Sequence, residues 1–269
     1  QSKIRILSII NFLALIIHVS LSYATQFKLV NKKDVGEISD QYTSLFTPAG
    51  FTFAIWGLIY LSLFAFCIYH LIIAFRHIPA YQPNQDISRM GGLFILNNLG
   101  AAAWLLAWTH EQIGLSLILI ILQLFTLIMI HLLTGIHNTQ RSIQSKIFTQ
   151  FPLSIYLGWI NIATIANAAV FLSSINWNGF GLGYSAITWT RIMIAVAVFI
   201  TLLLVLLRKN VTFGFVVLWA FYGIISKLQI TNATGFTEII QTAWIAMAVV
   251  GLICVIQLIK NIGTKRSRH

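Results

Sequence analysis

A handful of polar and aromatic side chains sit inside long apolar runs, and they are where any chemistry of this chain must reside. Polar groups are costly in a hydrocarbon environment, so each one present is a functional candidate. The densest group is Trp159, Asn161, Thr164 and Asn167. At helical spacing 160, 163, 164 and 167 share one side, with Trp159 one turn before Ala163. The face of Ala163, Thr164 and Asn167 is small and hydrogen-bonding. Its plainer reading is glue between helices, with small residues allowing close approach and amides bonding across. The alternative is the wall of a pocket. A second group is Asn97 and Asn98 with Trp104 and Trp108. Adjacent asparagines cannot face one direction, so at least one points into the protein. Trp104 and Trp108 are four apart and share a face. A third group, Pro48-Ala49-Gly50-Phe51, leads to Trp56 and Tyr60, again four apart. Trp and Tyr offer a flat apolar surface with a hydrogen-bonding handle. Aromatic walls with a few amides suit a flat, mostly apolar ligand.

Other chemistries find little footing. His18 belongs to the outer half of its span, and His70 and His131 to the inner ends of theirs, so His18 shares no metal with them. Hydrogen-bonded histidine is the plainer reading for all three. Cys67 and Cys254 stand inside apolar runs without metal-ligand spacing and read as small packing residues. There is no P-loop, HExxH or GxSxG motif and no nucleophile–base set. No carboxylate pair lies within an apolar run, which weighs against proton-coupled transport. Arg191, Glu111 and Glu238 belong near the outer surface. Arg191 and Glu238 are able to pair, although separate solvated charges are the simpler expectation. Asn232-Ala233-Thr234 is a glycosylation sequon, a pattern common by chance.

These residues need elements to hold them, and the composition says which. The 269 residues are 58% hydrophobic and 9% charged, with mean hydropathy +0.85. Soluble domains carry about 25% charged residues, so this much apolar surface calls for lipid around it. The predicted class is all-α, a polytopic transmembrane bundle. Eight stretches reach the roughly 20 residues a crossing needs: about 4–24, 51–75, 90–109, 114–136, 152–173, 187–208, 211–228 and 238–260. Lys3 and Arg5, a short apolar run and Ser22-Tyr23-Ala24 are similar to a secretory signal; the segment is taken as a retained first span.

The charges test that parse. With the N-terminus in the cytoplasm, the inner side receives Lys3, Arg5, Arg76, Arg89, Arg141, Lys146, Arg208, Lys209, Lys260, Lys265, Arg266 and Arg268, twelve of the 17 basic residues. Lys28, Lys32, Lys33 and Lys227 fall outside, and Arg191 just inside the sixth helix. Of the six acids, Asp86 alone falls inside. The positive-inside bias favours an even number of spans with both ends cytoplasmic. The net charge of +11 is thus a topology signal and implies no nucleic acid. The long outer loop is about 25–50. The connection 176–181 is Gly/Asn-rich, and Trp177 and Trp189 beside it suit an interfacial aromatic belt.

The motifs resemble those of the tryptophan-rich sensory protein family, also called the translocator protein or TspO family. Its second helix opens with Pro-x-Gly-x-x-Phe-x-x-x-Trp-x-x-Leu-Tyr. Pro48 to Tyr60 is similar, slightly compressed and with Ile59 for Leu. Its fifth helix carries Pro-Tyr-x-x-Trp-x-x-x-Ala-Thr-x-x-Asn. Trp159 to Asn167 follows that pattern without a gap, while Pro152 and Tyr156 are spaced differently. Asn97 or Asn98 with Trp104 and Trp108 meets the third-helix pattern loosely. The likeness covers residues 1–173, a five-helix unit; residues 174–269 add three helices and a basic tail, as in extended bacterial members.

The resemblance implies a ligand pocket inside the five-helix bundle under the first loop, which would act as a lid. It implies a receptor or carrier for porphyrins or similar molecules, with Trp56, Trp159, Ala163, Asn97 or Asn98, and Trp104 as the pocket positions that carry over. The aromatic and amide faces add Tyr60 and Asn167 to the ligand-binding candidates. No cofactor is required, and a tetrapyrrole or other lipophilic pigment is the implied bound species. Expected partners are the lipid bilayer, a small hydrophobic ligand, and a second copy or other members of a membrane complex. A structural or accessory subunit of a pigment-related assembly is the alternative function. An enzyme acting on an isoprenoid or tetrapyrrole is a weaker one.

Overall fold

The computed structural model describes residues 1–42, 44–76, 81–136, 138, 140–177 and 183–266. The expected residues Asn178, Gly179, Phe180 and Gly181 of the Gly/Asn-rich connection, and Arg268 of the tail, lie outside the described residues. Among the described residues the regular structure is helical throughout. The long helices are α1 (Ser2–Gln26), α3 (Ile55–Phe75), α5 (Leu93–Thr109), α6 (Ile113–Thr134), α8 (Phe151–Ser174), α9 (Ala186–Leu207), α10 (Val211–Asn232) and α11 (Thr237–Arg266). Shorter elements are α2 (Val35–Gln41), α4 (Gln82–Met90) and α7 (Ile143–Ser145). A 3₁₀ turn, Gly50–Ala54, leads into α3, and a π-helical turn, Lys146–Gln150, leads into α8.

Among the described residues seven helical stretches are each long and apolar enough to cross a bilayer, and they match seven of the eight predicted spans. The predicted third span falls on α4 and α5, which pass the same test only when taken together, as a broken span or a re-entrant loop. The third departs from a straight rod: α4 and α5 meet at 57°. Gly91, at φ 53°, ends α4 in a conformation that a side chain would strain. The apolar run predicted from residue 90 thus begins as a helix only at Leu93.

The chain forms two compact units, residues 1–41 with 55–160 and residues 42–54 with 161–269. The sequence reading had placed its own division after residue 173.

In the first unit α1 packs against both α3 and α5, and α5 against α6. Buried polar side chains join these helices. Asn97 Nδ2 donates to the Gln123 carbonyl at 2.9 Å and to Thr126 Oγ1 at 2.8 Å, tying α5 to α6. Tyr60 donates its hydroxyl to Ser22 Oγ at 2.7 Å, tying α3 to α1. His70 Nε2 meets Thr149 Oγ1 at 3.0 Å, anchoring the C-terminal part of α3 to the π turn. Asp86, the lone acid expected on the inner side, is fully buried. It takes both Nη atoms of Arg141, at 2.7 and 2.9 Å. Gln82 donates to the same carboxylate, and Arg141 also donates to the Thr134 carbonyl. The amphipathic α4 is thereby clamped to the end of α6.

In the second unit α10 packs on α9 and α11, which also pack on each other. Val205, Val211, Val250 and Cys254 form a core cluster. The 42–54 segment is held on α10: Ala49 N–H donates to the Gly223 carbonyl at 3.0 Å, and Trp219 Nε1 to the Thr52 carbonyl at 2.9 Å. Phe51 stands edge-on to Trp219, 5.6 Å between centroids. Gly223 is required there, because a Cβ would run into the Thr52 and Pro48 side chains. Cys67 and Cys254 are buried free thiols. Arg191 and Glu238, for which separate charges were the simpler expectation, pair at 2.7 Å. The first turns of α9 and α11 lie side by side and bring the two together.

Two stability effects follow. Asp86→Asn leaves a buried guanidinium without its counter-charge and is expected to cost about 3–5 kcal/mol, whereas Asp86→Leu with Arg141→Met recovers most of it. Thermal unfolding in detergent micelles reads both. Gly223→Ala is expected to cost about 1–3 kcal/mol through overpacking. Unfolding at the wild-type temperature would show that the 42–54 segment yields freely.

Candidate ligand-binding site

The interior of the first unit gathers aromatic rings around Trp56, at the start of α3. Residues four apart on a helix meet on one face, and Trp56 and Tyr60 stack at 5.1 Å with 29° between planes. From α8, Tyr156 and Trp159, three apart, turn their rings to the same indole at 6.0 and 6.4 Å, at 63° and 82°. From α1, His18 stands edge-on to Trp56 at 6.2 Å and to Tyr60 at 5.5 Å. Apart from the Trp56–Tyr60 stack, these separations and tilts are those in which the electropositive ring edge meets the electronegative ring face. Tyr156 and Trp159 are buried, at 0% and 2% exposure, while Trp56 is half-buried and keeps an accessible surface.

The polar supports of this cluster are specific. Asn98 Nδ2 donates to the Phe94 carbonyl at 2.9 Å, which orients its amide. Its Oδ1, an acceptor only, lies 3.0 Å from His18 Nδ1, so the imidazole carries its proton on Nδ1. The imidazole plane is thereby fixed against Trp56 and Tyr60. The Tyr156 hydroxyl is buried with no hydrogen-bond partner among the described residues. It is a polar handle beside the Trp56 ring.

The expected site residues divide accordingly. Trp56, Tyr60 and Trp159 come together. Asn98 serves the cluster through His18. Asn97 turns its amide nitrogen to α6, and its Oδ1 is buried without a hydrogen-bond partner among the described residues. Trp104 stacks on Trp108 at 5.5 Å and 15°, and Trp108 Nε1 donates to the Val35 carbonyl. That pair belongs to the end of α5 beneath the first loop. Ala163, half-buried, and Asn167, buried, lie farther along α8 in residues of the second unit. Sequence reasoning missed Tyr156 and His18. Helical spacing from Trp159 could have flagged Tyr156, but nothing local ties His18 to α3.

The first loop is strapped down. Lys28 pairs with Glu37 at 2.6 Å and Lys33 with Glu111 at 2.9 Å, and Asn31 donates to the Thr109 carbonyl. The hydrogen bond from the Lys28 ammonium, chiefly, holds the Glu37 carboxyl below the usual carboxylate range. This portion of the expected lid, residues 27–41, is tied to α5; residues 42–54 belong to the second unit.

Chemically, the cluster can stack on and surround an apolar ring system. It holds one imidazole, two phenols and two indoles, without a carboxylate or a nucleophile–base pair. Among the described residues no group of three or more His, Cys, Asp or Glu side chains is placed to hold a metal ion.

Fold and interior together define a polytopic α-helical integral membrane protein with an aromatic-centred first unit. Residues 8–256 match the family of TSPO-like proteins, and the chain belongs to that family. The match continues through α9 and α10 and most of α11, beyond the residues 1–173 on which the motifs had drawn the likeness. No curated protein and no solved structure matched the chain.

Asn98→Leu removes the acceptor that orients His18 and leaves a buried N–H unpaired. It is expected to cost about 1–3 kcal/mol and to shift tryptophan emission as the ring packing loosens. Unaltered unfolding and emission would show that Asn98 does not hold the imidazole.

Proposed function

We propose that this TspO-type membrane protein is a receptor or carrier for a flat hydrophobic ligand, with a tetrapyrrole as the leading class. The observation that carries the reading is the half-buried Trp56 indole set among four other rings. A planar ligand stacked on that indole would gain ring contacts and apolar burial together. The Tyr156 hydroxyl would give it one directional hydrogen bond, and the His18 edge would limit its tilt. Family membership and the lack of an acid–base set both favour binding over bond-making. The charge distribution supports insertion in a bacterial inner membrane with both termini cytoplasmic.

Titration of the detergent-solubilised chain with protoporphyrin IX tests the proposal. Saturable quenching of tryptophan emission is expected. Trp56→Ala should raise the apparent Kd about tenfold or more, in keeping with loss of a central aromatic anchor, and Trp159→Phe should weaken the quenching. An unchanged Kd in Trp56→Ala, with the helical content of the wild type, would overturn the placement of the ligand at this cluster.

A further inference from the structure

The second unit carries a site of a different kind, on its membrane-facing flank. Between α9 and α11 runs a groove of about 380 Å³ lined by Thr188, Arg191, Ile192, Ala195 and Thr242. Its two ends differ. One is the Arg191–Glu238 ion pair, 2.7 Å between Nη1 and Oε2, with both side chains substantially exposed. The other, a turn farther along α9, is apolar, lined by Ile192 and by Ala195, whose small side chain leaves room. A helical turn advances about 5.4 Å, so polar and apolar ends are separated by the depth of a headgroup and its first acyl carbons.

The depth of the groove has an independent marker. Trp189 precedes Arg191 by two residues. It lies against Trp177 at 4.6 Å and Tyr184 at 5.7 Å, an aromatic group of the kind that settles at the membrane–water boundary. The charged end therefore stands at headgroup level, and the natural occupant is a phospholipid. The charges select among phospholipids. Arg191 spends one N–H on Glu238 and keeps others of its five for a phosphate. Glu238 accepts at Oε2 and keeps its other oxygen for a cationic donor. A primary ammonium meets that need; a quaternary ammonium has no N–H to give, and a headgroup of net negative charge brings no cation for the Glu238 oxygen that Arg191 leaves free.

We propose that the α9–α11 groove is a binding site for phosphatidylethanolamine, its phosphate on Arg191, its ammonium on Glu238, and the start of an acyl chain over Ile192 and Ala195. This rests on the membrane character of the chain and is independent of the tetrapyrrole reading.

The test is native mass spectrometry of the delipidated full chain with short-chain phosphatidylethanolamine, phosphatidylcholine and phosphatidylglycerol. One phosphatidylethanolamine should bind about tenfold more tightly than either of the others, the effect of one charge-assisted contact. Glu238→Gln should erase the preference over phosphatidylcholine. Arg191→Gln should weaken both lipids. Ala195→Phe, on an exposed face clear of the ion pair, should block the groove. Equal binding of the three lipids by the wild type, a preference for phosphatidylglycerol, or an unchanged ratio in Glu238→Gln would each overturn the proposal.

Discussion

Polar groups removed from water must find partners inside the protein, and lipid enforces that rule more strictly than any soluble environment. In the first unit several buried polar groups meet the rule between helices, while the Tyr156 hydroxyl and Asn97 Oδ1 have no hydrogen-bond partner among the described residues. Asn97 satisfies its donors on α6, Tyr60 gives its hydroxyl to α1, and His18 gives its Nδ1 proton to α5. Helices in a bilayer gain little from apolar burial against one another, since lipid chains are as apolar as leucine. These few directional bonds therefore set which helix meets which, and at what rotation.

The aromatic cluster inherits its geometry from that network. Phe94 orients the Asn98 amide, the amide orients His18, and His18 braces the faces of Trp56 and Tyr60. Residues remote in sequence thus fix a ring whose own helix could let it rotate. Between α4 and the end of α6, Asp86 and Arg141 play a different part. A buried ion pair adds little net stability over a well-packed apolar pair, but it is exacting about position. It holds an amphipathic helix where apolar contacts alone would let it slide.

Much of this was legible in the chain. Span lengths located the seven long apolar stretches and the region of the bent α4–α5 pair, and spacing of four paired Trp56 with Tyr60 and Trp104 with Trp108. What could not be read was long-range. No local signal separates Asn97, turned to α6, from Asn98, turned to α1, because adjacent helix positions differ by about 100° and either rotation is sensible alone. His18 reaches the cluster through an 80-residue separation. The bend before α5 was masked by a hydropathy run that continues through Gly91 and Gly92. The Arg191–Glu238 contact depends on α9 and α11 starting together, which hydropathy does not encode.

That bend has a bearing on the membrane itself. With α4 turned aside, the straight part of this crossing is the 17 residues of α5, about 25 Å at the helical rise. The hydrocarbon core of a typical bilayer is about 30 Å thick. On this flank the protein is shorter than its solvent. Lipid chains beside α5 must compress or tilt to keep its ends wet, at fractions of a kcal/mol for each ångström. The other long helices carry 21 to 30 residues, so that adjustment is confined to the lipid beside α5.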